Sequence, residues 1–312
     1  MNPSIRSRII RAIIKYGMKP RIVAHIPVQK QRSVMDALTR LVILPRKTTV
    51  EKISAGGVPA EWVYADSSQQ NKVIIYFHGG GYNWGSCNTH RELAARLSLA
   101  SSARVLLVDY RLAPEHPFPA ALDDAISGYK WLLAQGFTAN NIVMAGDSAG
   151  GGLTLATAVS LRDQTIALPS ALLCLSPWAD LEMSSDTMNS KASVDPMLSE
   201  ASLAVWAKHY IAADQGNNPL ISPIHANFHG LPPLLIQAGE DEVLLGDALL
   251  VAERAKAAGV DVTLDVWPHM WHVWQAMALI VPEARQAISQ LGTFVSEHWH
   301  DSVAPSINLK PG

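Results

Sequence analysis

The chain has 312 residues, 48% hydrophobic and 17% charged, which is enough to bury a large core and unlike the composition of disordered or solvating chains. Its formal charge of −2 conceals an asymmetry: residues 1–50 hold 11 Lys/Arg against the single acid Asp36, and the remaining 262 residues hold 14 against 26 acids. The sequence lacks the roughly 18 consecutive apolar residues of a membrane span. Two cysteines, Cys87 and Cys174, argue against a disulfide framework or a zinc site, and the acidic remainder argues against nucleic acid as a partner.

At 100° per residue, Ile5, Ile9, Ile10, Ile13, Ile14 and Tyr16 share half a helical wheel, with Arg8, Arg11, Lys15 and Lys19 opposite. This predicts an amphipathic helix ending near Gly17 and Pro20. Its basic residues also interrupt what would be a signal peptide's apolar core, so a cytoplasmic location is expected. Three roles suit the helix: a surface helix of the fold, part of a lid over a site, or a membrane-surface helix with a basic polar face. Residues 1–45 are assigned to a cap and residues 46–300 to the main domain.

From about residue 50 onward, short apolar runs alternate with helical patterns. The runs are Val73–Phe77, Arg104–Val108, Ile142–Gly146, Ala171–Ser176, Leu234–Gly239 and Val262–Trp267, each continuous enough for a strand buried on both faces. The helical patterns are Thr89–Ser101, Pro119–Gln135, Gly150–Leu161, Leu245–Ala258 and Pro282–His298. The expected fold class is therefore α/β, a mostly parallel sheet with helices on both faces. Residues 179–218 interrupt the rhythm and read as a second cap segment, and residues 301–312 read as a fraying tail.

The chemistry-bearing motifs sit at strand ends. After Val73–Phe77 comes His78-Gly79-Gly80-Gly81-Tyr82; three glycines cost backbone entropy, which is explained if their bare N–H groups approach a ligand closely. His78 is expected to orient this loop. Gly146-Asp147-Ser148-Ala149-Gly150 lies between a strand and a helix, the setting of a nucleophile elbow, where flanking side chains would clash. The N–H groups of Gly80, Gly81 and Ala149 would then make an oxyanion hole.

The strand Leu234–Gly239 is followed by Glu240, Asp241, Glu242 and Asp247, four carboxylates in eight residues. Either Asp241 or Glu242 suits the acid that would orient a histidine. The base is expected at His272, in the loop after Val262–Trp267, with His269 as its competitor; the chain order is then nucleophile, acid, base.

Together with the string Asp109-Tyr110-Arg111-Leu112-Ala113-Pro114-Glu115-His116-Pro117-Phe118-Pro119-Ala120, these motifs resemble the microbial esterases of the hormone-sensitive lipase group, over about residues 50–298. The resemblance implies a capped α/β-hydrolase fold cleaving short- to medium-chain carboxylic esters without a cofactor, with Ser148, His272, Gly80, Gly81 and Ala149 in the roles above. The family's acid usually opens a D-P-L-x-D-type run. Laid over it, Glu242–Asp247 puts glutamate at the catalytic position, valine in place of proline and the second aspartate one place late, which favours Glu242 over Asp241. Arg111 and Glu115 are expected as buried scaffold polar groups. Tyr82, Trp84, Trp178, Met197 and Trp206 are candidate lining of an acyl pocket, with cap packing as the alternative. Two further alternatives are a non-catalytic small-molecule-binding protein on this scaffold and a membrane-associated lipase; a homodimer is also compatible.

Overall fold

The computed structural model describes residues 3–21, 26–39, 42–211 and 215–299; the tail expected to fray at 301–312 lies outside them. The N-terminal segment holds α1 (Ile5–Ile13), extended by a π-helical turn over Ile14–Met18, and α2 (Val28–Thr39). Then follow β1 (Thr48–Ala55), β2 (Val58–Ala65), β3 (Gln69–Phe77), α3 (Cys87–Ser101), β4 (Ala103–Val108), α4 (Ala120–Ala134), β5 (Ile142–Asp147) and α5 (Ala149–Asp163). The rest is β6 (Ala171–Leu175), α6 (Thr187–Ser190), α7 (Glu200–Tyr210), β7 (Leu234–Gly239), α8 (Leu245–Ala257), β8 (Val262–Trp267) and α9 (Pro282–Glu297).

The strands form one sheet in the order β1-β2-β4-β3-β5-β6-β7-β8, antiparallel at β1/β2 and β2/β4 and parallel elsewhere. Each apolar run identified in the sequence is a strand. The hairpin β1–β2 is an addition; its turn is Gly56-Gly57, both at positive φ (65° and 90°), as a tight hairpin requires.

Two apolar cores lie on opposite faces of the sheet. Alternate residues of β3 divide between them: Val73, Ile75 and Phe77 face the core built with α4, α5 and α8, and Ile74 and Tyr76 face the one built with α3 and α9. This period of two follows from the pleat, and it explains why a strand buried on both faces reads as continuously apolar. Among the described residues, no helix is long and apolar enough to cross a membrane.

One expectation is corrected. Arg111 and Glu115 are exposed rather than buried; Arg111 pairs with Asp124 at 2.7 Å and Glu115 with Arg32 at 2.8 Å, and a solvated ion pair needs no burial. In α1, the apolar half-wheel does not face the core as a unit. Ser7, Ile10 and Ile14 are buried, whereas Ile5 is 74% and Tyr16 75% exposed. With this roll of the helix, Arg11 reaches Asp241 and the carbonyls of His269 and Val194.

Candidate active site

Ser148 sits between β5 and α5 with φ 54°, a strained value for a non-glycine residue that lifts the hydroxyl above the sheet edge. The strain is held by hydrogen bonds on both sides: its N–H donates to Leu175 O (2.8 Å), and its carbonyl accepts from Trp178 N (2.9 Å) and Gly152 N (3.1 Å). A Cβ on Gly150 would lie 2.0 Å from Phe77 O, so the close approach of α5 to β3 requires glycine there. The N-terminus of α5 points its partial positive charge at this serine.

The glycine loop lies beside the elbow. Gly80 and Gly81 have φ 123° and 60°, and a Cβ on Gly81 would meet the Trp206 ring at 2.6 Å. Among the described residues, the N–H groups of Gly80, Gly81 and Ala149 have no acceptor within the chain; they are donors available to a ligand oxygen.

A buried carboxylate ties loop to elbow. Asp147 accepts from the Tyr76 hydroxyl (2.8 Å) and from Gly79 N (3.0 Å), with His90 Nε2 at 3.3 Å. Burial opposes its ionisation, but the His90 charge and the hydrogen bonds from His90 and Tyr76 outweigh this and hold its pKa below the ordinary value. His78 is stacked on Tyr110 at 4.2 Å, with Nδ1 2.8 Å from Gly79 O. Burial first, and His90 second, push its pKa down to about 3, so it is a neutral ring bracing the loop. Asp147, Tyr76 and His90 were not singled out from sequence. Asp147 was readable as the variable residue inside the elbow motif, whereas the other two are brought to it only by the fold.

The four carboxylates after β7 separate by partner. Glu240 accepts from His269 N at 3.1 Å, Asp241 pairs with Arg11 at 2.7 Å, and Asp247 accepts from the N–H groups of Ala179 (2.8 Å) and Asp180 (2.9 Å). Glu242 alone reaches the histidine: its Oε2 lies 2.9 Å from His272 Nδ1 and its Oε1 accepts from Gly239 N at 3.1 Å. Both side chains are almost wholly enclosed. Such a partner favours the tautomer with Nδ1–H toward the carboxylate and a free Nε2 lone pair.

A cavity of about 620 Å³ joins the parts; Ser148, His272, Gly80 and Gly81 all line it, and its size is that of a small-molecule site. Of the residues expected to line a pocket, Trp84, Met197 and Trp206 do. Tyr82 and Trp178 do not; they belong to the core, where Tyr82 stacks on Tyr210 at 3.8 Å and approaches Trp178 at 6.3 Å. The N-terminal segment supplies Ile13, Met18, Met35, Thr39, Val42 and Leu44 to the same wall.

Residues 74–276 match the alpha/beta hydrolase fold family. An acetyl-hydrolase of Streptomyces hygroscopicus is 42% identical over 243 residues, 78% of this chain and 81% of its own length. An esterase of Acinetobacter venetianus is 37% identical over 268 residues, 85% of this chain and 88% of its own. Among solved structures, EstE5 soaked with p-nitrophenyl butyrate matches with a TM-score of 0.91 at 42% identity, covering 95% of this chain and 99% of the other. An esterase of the bacterial hormone-sensitive lipase family matches with a TM-score of 0.91 at 40% identity, covering 96% and 100%. With the fold and family match over the elbow, the glycine loop and the Glu242–His272 pair, the chain belongs to the α/β-hydrolase fold family and to its hormone-sensitive lipase group.

Proposed function

We propose that this protein is a serine carboxylesterase that hydrolyses short- to medium-chain carboxylic esters through an acyl-enzyme. The observation that carries the reading is the 2.9 Å contact between Glu242 Oε2, buried behind the cavity wall, and Nδ1 of His272, which lines the cavity together with Ser148 and the two loop glycines. Ser148 Oγ attacks the ester carbonyl while His272 Nε2 takes its proton, and Glu242 stabilises the imidazolium. The new oxyanion accepts from the N–H groups of Gly80, Gly81 and Ala149; one such donor is typically worth ~2.7–4 kcal/mol in the transition state. The intermediate collapses, the alcohol leaves with the proton from His272, and water activated by His272 releases the acid. Every proton and charge is carried by the chain's own groups, so the cycle needs no cofactor or metal.

The aromatic and methionine lining supports an apolar acyl group, and relatives named acetyl-hydrolase and esterase support the ester class. Replacing Ser148 with Ala is expected to abolish p-nitrophenyl butyrate turnover in a folded protein; retained turnover refutes the assignment. A non-catalytic binder on this scaffold predicts no covalent fluorophosphonate adduct at Ser148. Two buried free thiols, Cys87 and Cys174, suit the cytoplasmic location expected from sequence.

One observation favours a second reading, an esterase that touches membranes. The exposed side of α1 carries Ile5, Ile9, Ile13 and Tyr16, and Arg6 and Arg8 are exposed beside them, the pattern of an interfacial helix. Co-sedimentation with anionic vesicles, lost on replacing Ile5 and Ile9 with Ser, is the expected result; no sedimentation removes this reading and leaves the esterase reading intact. Homodimerisation is checked by the mass of the purified protein in solution.

A further inference from the structure

We propose that Arg11, in the N-terminal cap, is a positioning residue for the Glu242–His272 pair, so that seating the cap over the cavity also sets the charge network of the reaction. This rests on the esterase reading above. The Arg11 guanidinium joins three segments that meet at the acid. Nη1 donates to Asp241 Oδ2 (2.7 Å), the residue before Glu242, and to His269 O (3.0 Å), three residues before His272; Nη2 donates to Val194 O (2.6 Å) in the second cap segment.

Val194 precedes Asp195, a buried carboxylate whose Oδ1 caps Met197 N (2.7 Å) and Leu198 N (2.8 Å) and whose Oδ2 accepts from Val243 N (2.9 Å), the residue after Glu242. Glu242 is therefore bracketed on both sides by groups anchored in the caps: Asp241 by Arg11, and Val243 by Asp195. Lys19 adds a third cap contact to the same segment, Nζ to Asp195 O at 2.8 Å. About two turns beyond this clamp, at the end of the π-helical turn that extends α1, the chain reaches Met18, and Ile13 lies between them; both line the cavity. The helix that closes the substrate wall is thus the helix that fixes the acid loop and the histidine loop to each other. The Arg11 and Asp241 side chains are only 25% and 18% exposed, so the pair is less screened than a surface one.

The rates of the two loops' chemistry depend on a hydrogen bond whose donor and acceptor sit on separate segments, and small misplacements of such groups cost up to ~100-fold in rate. The test uses the full chain and p-nitrophenyl butyrate, with Arg11→Met, Arg11→Lys, Asp241→Asn, the Arg11→Met/Asp241→Asn double variant, and Glu242→Gln as reference. Arg11→Met is expected to lower kcat ~10- to 100-fold with KM changed less than about threefold, the signature of a lost transition-state arrangement rather than lost binding. Arg11→Lys, which reaches fewer of the three acceptors, recovers part of kcat. The double variant is no slower than Arg11→Met alone, because both changes break one clamp. A kcat within about twofold of wild type in Arg11→Met, or a raised KM at unchanged kcat, overturns the proposal. If Arg11→Met does not fold, Asp241→Asn, nearly isosteric, decides: kcat within about twofold of wild type overturns the proposal, and a larger fall at unchanged KM upholds it. Failure of the underlying reading looks different: the wild-type chain would then not turn over p-nitrophenyl butyrate at all, and if only the acid is misassigned, Glu242→Gln would retain full turnover.

Discussion

Replacing Glu242 with Gln changes one atom, and the local hydrogen bonds determine what that change does. Wild-type Glu242 accepts twice, from Gly239 N (3.1 Å) and from His272 Nδ1 (2.9 Å); a glutamine has one acceptor and one donor end. With its oxygen toward Gly239, the amide NH2 faces Nδ1, which must then be unprotonated, and the Nε2 lone pair that would take the Ser148 proton is gone. With the amide reversed, two buried N–H donors oppose each other at Gly239, costing ~1–3 kcal/mol, so the first arrangement is preferred. A wrong tautomer of this kind costs a Ser-His-Asp protease of an unrelated fold ~10⁴ in kcat, about 5.4 kcal/mol of barrier. Asp241→Asn removes only the partly exposed pair with Arg11, worth ~1 kcal/mol, and is expected to lower kcat by no more than about tenfold. Initial rates on p-nitrophenyl butyrate for both variants decide the matter. A larger loss in Asp241→Asn than in Glu242→Gln refutes the reasoning.

Further expectations follow from packing and burial. Gly81→Ala places a methyl 2.6 Å from the Trp206 ring at a residue with φ 60°, and should cut kcat by ~10²-fold or more through the displaced oxyanion donor, measured on the same ester; near-normal kcat would remove Gly81 from that role. Trp178→Ala should cost ~3–5 kcal/mol in denaturant unfolding because the ring is enclosed, whereas Met197→Ala should alter acyl-chain preference with a smaller stability loss; the reverse pattern contradicts the pocket assignment. His78, pushed down to about 3 chiefly by burial, stays neutral in the fold while the unfolded chain protonates it near pH 6.5. Its contribution is full above that pH and is lost as pH falls toward about 3, so Tm should decline on acidification and His78→Asn should flatten the decline. An unchanged slope in His78→Asn would refute this.

The legible part of this molecule was what local rules determine. The five central strands β3 to β7 announced themselves as apolar runs because both faces are buried, and the elbow and glycine loop did so because backbone crowding admits few residues. The hairpin β1–β2 was missed because β1 is an edge strand with mixed exposure, although Gly56-Gly57 was a readable turn. The Asp241/Glu242 choice depended on a one-residue difference in direction at the end of β7, and the family pattern pointed to the residue that does reach His272. Tyr82 and Trp178 follow the packing alternative rather than the pocket, and sequence could not choose because an aromatic beside a motif reads alike whether it faces a cavity or a core. The exposed Arg111 and Glu115 and the roll of α1 depend on distant partners, Asp124, Arg32 and Asp241, which periodicity does not encode.

The basic N-terminal segment acquires a specific meaning from these contacts. Arg11, Lys15, Lys19 and Arg32 donate to the domain they cover, to Asp241, Glu115 and a set of carbonyls. Among the described residues, four of the segment's basic side chains are thus tied to the rest of the chain, two of them, Arg11 and Arg32, through carboxylates.

The most direct measurement is covalent labelling with a fluorophosphonate, read by intact mass and peptide mapping. One adduct per chain, located on Ser148, should form in step with the loss of esterase activity, and should slow sharply in Glu242→Gln, which weakens the base. Loss of activity with the label on another residue, or an unlabelled Ser148 in an inactivated protein, would contradict the assignment of Ser148 as nucleophile.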